Sequence, residues 1–517
     1  MTLRSLLFLC LTATALANTT PLQPGHVAVV YNSTIPESRD LAEFYALNRN
    51  IPPGNLVGLI LPKEEAITRS AFEKRVRDPL RAEFDKREWW TLARDQNNTI
   101  LPTSCKIRCL ALIKGVPLRI ERIAVPAAEA ESKAQFKENN EAAVDSELAM
   151  LGVRGLPIGG PLQNRYFTKD MSFIQAPLPY QLLVGRIDAK NYDTCKRMVL
   201  DALDAEEQGL WGRAYVDFAI KGGAFAMGDQ WLELIAKRSL AAGFPTITDR
   251  NKDTFVTNYP MQEAAIYFGW YTFHRNGPFL DPSMKFQRGA VAVHLHSLSA
   301  GQLGDPSKNW SSALLDRGAA ATLGNTWEPF LQMSHNFDIF HDRLLKGYSL
   351  AESAAMAINV LSWQNLVLGD PLYRPFKNRD QKPADLKSDR DYKILRMAYE
   401  NWSDPAERTT KLEGAAERMK SGIIYETLGT NFLEAKEYVN ALEHFTKARA
   451  AYPDGKDKLR QVLNIVALER RQGNKSKALS MLRAARKEFR QLPQSQAIDA
   501  LIVILDPPAP PATKPKK

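Results

Sequence analysis

Two histidines and a serine near the end of one apolar run are side chains that could do chemistry. His294 and His296 are two residues apart, so on a strand they would share one face, about 6.6 Å apart. Such a pair can bind a metal ion, and Asp305 or Glu328 could complete the ligand set. Alternatively, Ser297 could act as a nucleophile with one imidazole as its base. A third interpretation needs no chemistry: one histidine is buried and hydrogen-bonded, and the other lies at the surface.

Further polar or aromatic side chains follow the apolar runs that are predicted to be strands. The carboxyl ends of parallel strands gather at one edge of a sheet, and ligand sites form there. The residues that we therefore predict to contact a ligand are Asn32, Lys114, Arg186, Asp188, Trp270 and Asn325.

Several acidic residues have a structural interpretation beside a functional one. Glu328 follows Gly324 and a predicted strand, so its carboxylate could face a cleft or lie at a helix N-terminus. Asp145 and Glu147 flank a serine in a pattern typical of a helix capping box, and we slightly favour that structural role. Asp370 stands between a glycine and a proline, which predicts that it closes a turn.

Apolar runs of strand length alternate with amphipathic helical patterns over most of the chain. Strands are predicted at residues 26–32, 56–61, 109–113, 181–188, 214–219, 264–268, 290–295 and 319–323. Helices are predicted at residues 38–48, 69–86, 192–207, 229–242, 310–315 and 350–361. This alternation predicts a three-layer α/β domain over residues 18–376, with a mostly parallel sheet and a subdivision near residue 208.

The rest of the chain is predicted to be helical. Residues 377–392 are polar and predict a linker, residues 393–490 an all-α domain, and residues 491–517 a Pro- and Lys-rich flexible tail. The all-α segment resembles tetratricopeptide repeats in the spacing of Leu428, Gly429, Phe432, Ala441, Phe445, Ala448 and Pro453, and again of Ala478, Leu482 and Ala485. Such repeats imply docking of a protein partner, whereas a generic helical hairpin is the alternative.

The N-terminus predicts a signal peptide over residues 1–17. Arg4 precedes a short apolar run, and Ala15 and Ala17 have the small-x-small spacing that signal peptidase requires. We therefore expect an exported protein, periplasmic or secreted, cleaved near Ala17; a buried N-terminal helix is the alternative. No later apolar run reaches the length of about 18 residues that a transmembrane helix needs.

Composition says little about partners. The chain is 44% hydrophobic and 24% charged, as is usual for a soluble globular protein. Its formal net charge of +10 falls to +9 when Arg4 is removed with the signal peptide. A basic exported protein could bind an anionic envelope polymer, although solubility alone accounts for a modest excess. The sequence shows no nucleic-acid-binding motif and identifies no cofactor.

Three cysteines remain after the predicted cleavage, Cys105, Cys109 and Cys195. An oxidising compartment would allow one disulfide. Cys105 and Cys109 could pair only if Cys105 lies in a loop before the strand, because two residues four apart in one strand are too distant.

Residues 27–376 resemble an uncharacterised family of exported bacterial proteins. The phrases that carry the resemblance are residues 38–42, 115–119, 144–148, 269–271, 294–297, 324–329, 361–364 and 369–373. This family implies no known activity, so the resemblance supports export and the α/β domain only.

The end of the α/β domain is also similar in layout to gingipain-like cysteine peptidases of the caspase-like fold. In those peptidases, one strand ends in a catalytic histidine and the next ends in a catalytic cysteine. Here Trp270 stands where the histidine would be, and the next strand ends in His296 and Ser297 without a cysteine. The resemblance therefore implies that the cysteine dyad is absent. If Ser297 is a nucleophile instead, its imidazole must come from His294, His296 or His274.

Two functions from different classes follow for a caspase-like or flavodoxin-like α/β domain joined to a helical repeat domain. We favour an exported cell-envelope protein whose peptidase-like scaffold serves binding or assembly with a protein partner. The alternative is a hydrolase, either peptidase- or esterase-like or metal-assisted, that uses His294, His296 and Ser297 with Asp305 or Glu328.

Overall fold

The computed structural model describes residues 20–125, 136–251, 254–377 and 387–508. The predicted signal peptide and the last nine residues of the predicted tail lie outside the described residues.

Seventeen strands form in the described part of the chain, several of them only two residues long. In chain order they are β1 Val27–Asn32, β2 Leu56–Leu59, β3 Ala66–Ile67, β4 Trp90–Arg94, β5 Ile100–Cys105, β6 Cys109–Ile113, β7 Arg119–Ile120, β8 Ala142–Ala143, β9 Leu162–Gln163, β10 Leu183–Ile187, β11 Arg213–Asp217, β12 Thr246–Asp249, β13 Ala264–Trp270, β14 Phe286–Leu295, β15 Thr322–Asn325, β16 Val360–Leu361 and β17 Asn365–Leu368.

The described α-helices fall into two groups. Those of the α/β domain are α1 Pro36–Arg49, α2 Arg69–Ala71, α3 Asp78–Lys86, α4 Val144–Leu148, α5 Tyr192–Gln208, α6 Ala226–Ala241, α7 Trp310–Asp316, α8 Phe337–Leu345 and α9 Leu350–Met356. Those of the C-terminal region are α10 Lys387–Asn401, α11 Pro405–Met419, α12 Gly422–Glu434, α13 Tyr438–Ala451, α14 Gly455–Arg471, α15 Lys475–Glu488 and α16 Gln496–Leu505. A π-helical stretch, Phe72–Arg77, joins α2 to α3.

The central sheet is mostly parallel, which confirms the predicted α/β class. One part has the order β15-β17-β10-β6-β1-β2, and the other has the order β12-β11-β13-β14. Every pair within these two parts is parallel except β15 with β17. A parallel bridge from Val291 to Ala321 joins them, so β14 lies beside the segment that leads into β15.

Helices cover both faces of this sheet, because alternate residues of the strands are apolar on each side. On one face, Val27 and Val29 pack with residues of α1, α5 and α7. On the other face, Ala28 and Val30 pack with residues of α3. In the second part of the sheet, residues of β11, β13 and β14 pack with α6, α8 and α9. The result is the predicted three-layer arrangement.

One predicted helix of the α/β domain has an irregular interior, and another differs from the structure. The segment predicted at residues 69–86 is helical throughout, as α2, the π-helical stretch and α3. The helix predicted at residues 350–361 ends at Met356, and its last two residues form β16, paired with β9. Apolar periodicity continues through both segments, so it could not show these changes of backbone geometry.

The C-terminal region consists of helices that pack on their neighbours in sequence. Gly429 of α12 faces Phe445 of α13, where an added Cβ would come within 2.6 Å of the ring. Close approach of these two helices therefore requires the glycine, as the repeat-like spacing predicted. Two boundaries differ from the prediction. α10 begins at Lys387, inside the predicted linker, and α16 lies inside the predicted tail because Ile498 and Leu501 bury an apolar face.

A buried ion network joins this helical region to β11. Arg213 is fully buried and donates hydrogen bonds to Glu263 (2.5 Å) and to the Tyr452 hydroxyl (2.8 Å). The Tyr452 hydroxyl donates to Glu426 (2.5 Å), and Arg460 donates two further bonds to Glu426 (2.7 and 2.8 Å). Burial disfavours the ionised carboxyl, yet the two guanidinium groups hold the pKa of Glu426 well below its usual range.

Among the described residues, no helix is both long enough and apolar enough to cross a membrane.

Candidate functional site

The carboxyl ends of β13 and β14 form the edge at which the candidate site lies. The two strands are parallel, and their register places Trp270 beside Leu295. The next residues of each strand are therefore neighbours, and the rings of Tyr271 and His296 have centroids 5.1 Å apart. This arrangement follows from parallel pairing, which brings the ends of successive strands to one edge.

A small pocket of about 50 Å³ opens at this edge. It brings together four of the predicted site residues, Trp270, His296, Ser297 and Glu328. The other residues that line it are Phe225, Tyr271, Leu295, Pro329, Phe330, Leu331 and Ser334. Its walls are thus largely aromatic and aliphatic, with a few polar groups, as is usual for ligand sites.

His296 is a neutral, largely buried side chain in this pocket. Its ring packs against Phe273, with centroids 4.8 Å apart, as well as against Tyr271. Burial lowers the pKa of His296, and the carboxylate of Glu328 opposes that shift. Glu328 itself is exposed and accepts a hydrogen bond from the Phe330 backbone N–H (3.3 Å). A neutral imidazole beside a carboxylate can accept or donate hydrogen bonds to a ligand.

Ser297 is half-buried and lines the pocket, but it is not set up as a nucleophile. Among the described residues, no imidazole or carboxylate forms a hydrogen bond with its hydroxyl. An activated serine needs such a base within hydrogen-bond reach. The following loop is held in place by Asn325, whose amide donates to the backbone carbonyl of His296 (3.3 Å) and whose N–H donates to Ser299 (3.1 Å). Asn325 therefore supports the pocket rather than lining it.

His294 occupies the core instead of the pocket. The Thr272 N–H donates to its Nε2 (3.4 Å), so the neutral ring carries its proton on Nδ1, which faces the Tyr267 hydroxyl (3.0 Å). Its ring stacks on Trp310 with centroids 3.6 Å apart. Burial, together with His296, lowers the pKa of His294 well below its usual value. Both ring nitrogens are used within the fold, which matches the interpretation of one buried, hydrogen-bonded histidine. The expectation that the other histidine lies at the surface is wrong, because His296 is also buried, at 5% exposure.

The structure does not assemble the predicted metal ligands. Among the described residues, no group of three or more histidine, cysteine, aspartate or glutamate side chains is placed to hold a metal ion. Asp305 instead accepts hydrogen bonds from the backbone N–H and the hydroxyl of Ser307 (2.9 and 2.7 Å), which close a turn. The described residues therefore supply no third ligand to His294 and His296. The two histidines also differ in environment, although only one residue separates them.

Three of the predicted ligand-binding residues form an internal ion network. Arg186 is fully buried and donates to Asp145 (2.7 Å) and, at 3.4 Å, to Asp188. Lys114 donates to Asp188 (3.1 Å) and to the Ala189 carbonyl (2.7 Å). These groups satisfy one another, so they stabilise the edge of the sheet and offer little to a ligand.

Asn32 is also satisfied within the fold, because its amide donates to the carbonyls of Leu61 and Gly115 (3.2 and 3.1 Å). The capping-box interpretation of residues 145–147 is wrong. The helix α4 has Ala143 at its N-cap without a side-chain bond, and Asp145 turns toward Arg186. Asp370 accepts from the Leu372 N–H (2.9 Å), as expected for a turn, and also from the Tyr45 hydroxyl (2.7 Å).

Sequence reasoning missed a pair of buried carboxyl groups. Asp217 and Asp249 lie opposite each other at the ends of β11 and β12. Burial and the neighbouring Asp249 raise the pKa of Asp217, and burial raises the pKa of Asp249 to about 6. The Tyr267 hydroxyl connects Asp217 (3.3 Å) with His294. Only the pairing of β11 with β12 brings these two residues together, and no local sequence pattern predicts that pairing.

Sequence reasoning also missed the aromatic walls of the pocket. Phe225 lies on the turn before α6, and Phe330 follows Glu328. Lys221 places its ammonium group 4.4 Å from the centre of the Tyr271 ring. The three described cysteines are free thiols, so no disulfide joins Cys105 to Cys109.

No family model matches the chain. No curated protein matches it either. The uncharacterised family and the tetratricopeptide assignment therefore stay predictions. Among solved structures, the chain is similar to one described as the complex of Porphyromonas gingivalis RgpB pro- and mature domains, at 10% identity and a TM-score of 0.38, over 68% of this chain and 79% of that one.

A second solved structure, described as a protease, is similar at 9% identity and a TM-score of 0.36, over 71% of this chain and 83% of that one. Likeness at this level shows no activity for the present chain. The pocket must therefore be interpreted from its own geometry.

Proposed function

We propose that the chain is a binding protein, and that the pocket at the ends of β13 and β14 holds one side chain of a polypeptide partner without cleaving it. The observation that carries this proposal is the pocket itself, which joins aromatic walls to His296, Ser297 and Glu328, while no base in the described part of the chain contacts the serine.

The size and lining of the pocket support a single anchoring side chain. A volume of about 50 Å³ is well below that of pockets that enclose a whole small molecule, so it suits one small side chain. Aromatic anchors supply most of the binding energy in protein interfaces when they are enclosed in such pockets. His296 and Glu328 stand at the polar side, where they can pair with the amide groups of a bound chain.

A peptide-library selection on the full chain tests this proposal. We expect selected peptides whose dissociation constants rise at least about tenfold in the Phe225→Ala variant, because truncation of a pocket aromatic removes an anchor contact. Leu280→Ala is the matched control, since Leu280 is an exposed apolar residue outside the pocket, and it should bind the peptides as the wild type does. Peptides that bind both variants equally, or no selected peptide at all, would refute the proposal.

The second candidate is a serine hydrolase. It is favoured by the single observation that His296 and Ser297 line the same pocket. A bound substrate would then have to bring the hydroxyl and the imidazole within hydrogen-bond reach, as happens in some enzymes only in the substrate complex.

The cellular setting is likewise a proposal. The small-x-small site at Ala15 and Ala17 supports export to the periplasm or beyond. The close packing at Gly429 supports a repeat-like helical region, which we propose as a second contact for a protein partner.

A further inference from the structure

Four charged side chains recur at every fourth position along the segment that runs from α2 to α3. They are Arg69, Glu73, Arg77 and Arg81. In a regular α-helix each step of four residues drifts by about 40° around the axis, so three steps would spread the series over about 120°. The π-helical stretch Phe72–Arg77 has wider turns, which counteract this drift. The four side chains therefore line the same pocket.

This second pocket has a volume of about 280 Å³ and shares no lining residue with the pocket of the candidate site. Glu147 and Ser362 also contribute to its wall. Its ionisable lining consists of three arginines and two glutamates, which leaves one positive charge in excess. A bound anion would balance that charge.

The guanidinium groups are fixed in position and retain unused donors. Arg81 donates to the carbonyls of Leu151 and Val153 (both 2.8 Å), which orients the guanidinium group. Its Nη1 lies 3.6 Å from Asp78, beyond hydrogen-bond length. Burial, with the charges of Arg154 and Arg77, lowers the pKa of Arg81 to about 10.

Arg69 is the most buried of the three arginines, at 4% exposure. It pairs with Glu147 (2.8 Å) and donates to the Asn140 carbonyl (2.7 Å). Its Nε is buried and has no hydrogen-bond partner among the described residues. That nitrogen has no exposed surface, so Arg69 contributes its positive charge to the pocket rather than this donor.

We propose that this pocket binds an oxyanionic group of the phosphate type between Arg69, Arg77 and Arg81. Arginine forks match the oxygens of phosphate in two-pronged hydrogen bonds, and charge-assisted bonds of this kind are the strongest that proteins make. The group is either a free anion or part of an anionic polymer. The proposal is independent of peptide binding at the first pocket.

Calorimetric titration of the full chain with inorganic phosphate, at constant ionic strength, tests the site. We expect saturation at one phosphate per chain and a loss of about tenfold or more in affinity in the Arg81→Gln variant. Glu73→Gln should tighten binding, because it removes a negative charge from the lining. Arg87→Gln is the control, since Arg87 pairs with Glu83 outside the pocket.

Polyphosphate, titrated at the same total phosphate concentration, distinguishes the two sources. If polyphosphate binds more tightly per phosphate group than inorganic phosphate does, the natural ligand is a polymer. If the two bind with equal affinity per phosphate group, the natural ligand is a free anion. If Arg81→Gln fails to fold, Arg77→Gln gives the same readout at a more exposed position. Absence of saturable binding to both ligands, or equal affinity in the wild type and the arginine variant, would overturn the proposal.

Discussion

Replacement of Glu426 by alanine should lower the free energy of unfolding by about 3–5 kcal/mol, since it leaves two buried guanidinium groups without their shared carboxylate. Arg213 and Arg460 are both fully buried, and Glu426 is 1% exposed. Asp457 and Glu263 balance part of the charge, at 2.5 Å from Arg460 and Arg213 respectively. Chemical denaturation measures this loss of stability. Limited proteolysis of the same variant under native conditions shows whether the helical region detaches first.

The pH dependence separates the charge of Glu426 from its packing. Because the folded-state pKa is depressed, the stability that the carboxylate contributes is present above its unfolded value of about 4.5 and is lost as the pH falls below that value. The difference between wild type and Glu426→Gln should therefore stay constant from pH 7 to 6 and shrink below about pH 4.5. Glu443→Gln, at an exposed pair with Lys447, is the control and should change nothing measurable. A small, pH-independent effect at Glu426 would contradict the account.

Asp145→Asn should destabilise the α/β domain by a similar amount, about 3–5 kcal/mol, because Arg186 has no route to solvent. Burial disfavours the charged guanidinium, and the carboxylate of Asp145 more than restores it, so that the pKa of Arg186 is raised. The remaining counter-charge, Asp188, is more distant, at 3.4 Å. Urea denaturation measures the loss, and Asp204→Asn, at an exposed pair with Arg288, serves as the control.

A double variant decides whether the unpaired charge or the altered shape causes the loss of stability in Asp145→Asn. Arg186→Met together with Asp145→Asn removes both charges, so it should recover part of the stability that Asp145→Asn alone loses. If the two effects simply add, the pair does not interact as the structure indicates.

Local patterns were enough to predict most of the α/β layer. Apolar runs such as residues 109–113 fix a buried strand, and the stripe at Leu41 and Tyr45 fixes the helix that covers it. The predicted strand ends also located part of the candidate site. Trp270 ends β13, and His296 and Ser297 directly follow β14, which pairs with β13 in parallel.

Contacts between residues distant in sequence were not predictable in this way. Arg186 was expected to face a ligand, but Asp145, 41 residues earlier, neutralises it. The difference between His294 and His296 depends on Trp310 and Tyr267, which the tertiary fold supplies. The four-residue spacing of Arg77 and Arg81 does not by itself predict a shared pocket. It does so only when the π-helical stretch, which keeps such residues on one face, is known.

The most direct test of the binding interpretation is the reaction of the full chain with a fluorophosphonate probe, followed by intact mass measurement and peptide mapping. An activated serine displaces fluoride and retains the phosphonyl group, whereas an unactivated serine does not react. We predict no adduct at Ser297 and no probe-dependent mass shift in either wild type or Ser297→Ala, because no described base contacts the hydroxyl. A stoichiometric adduct on Ser297 that the alanine variant loses would contradict this account and make the protein a serine hydrolase.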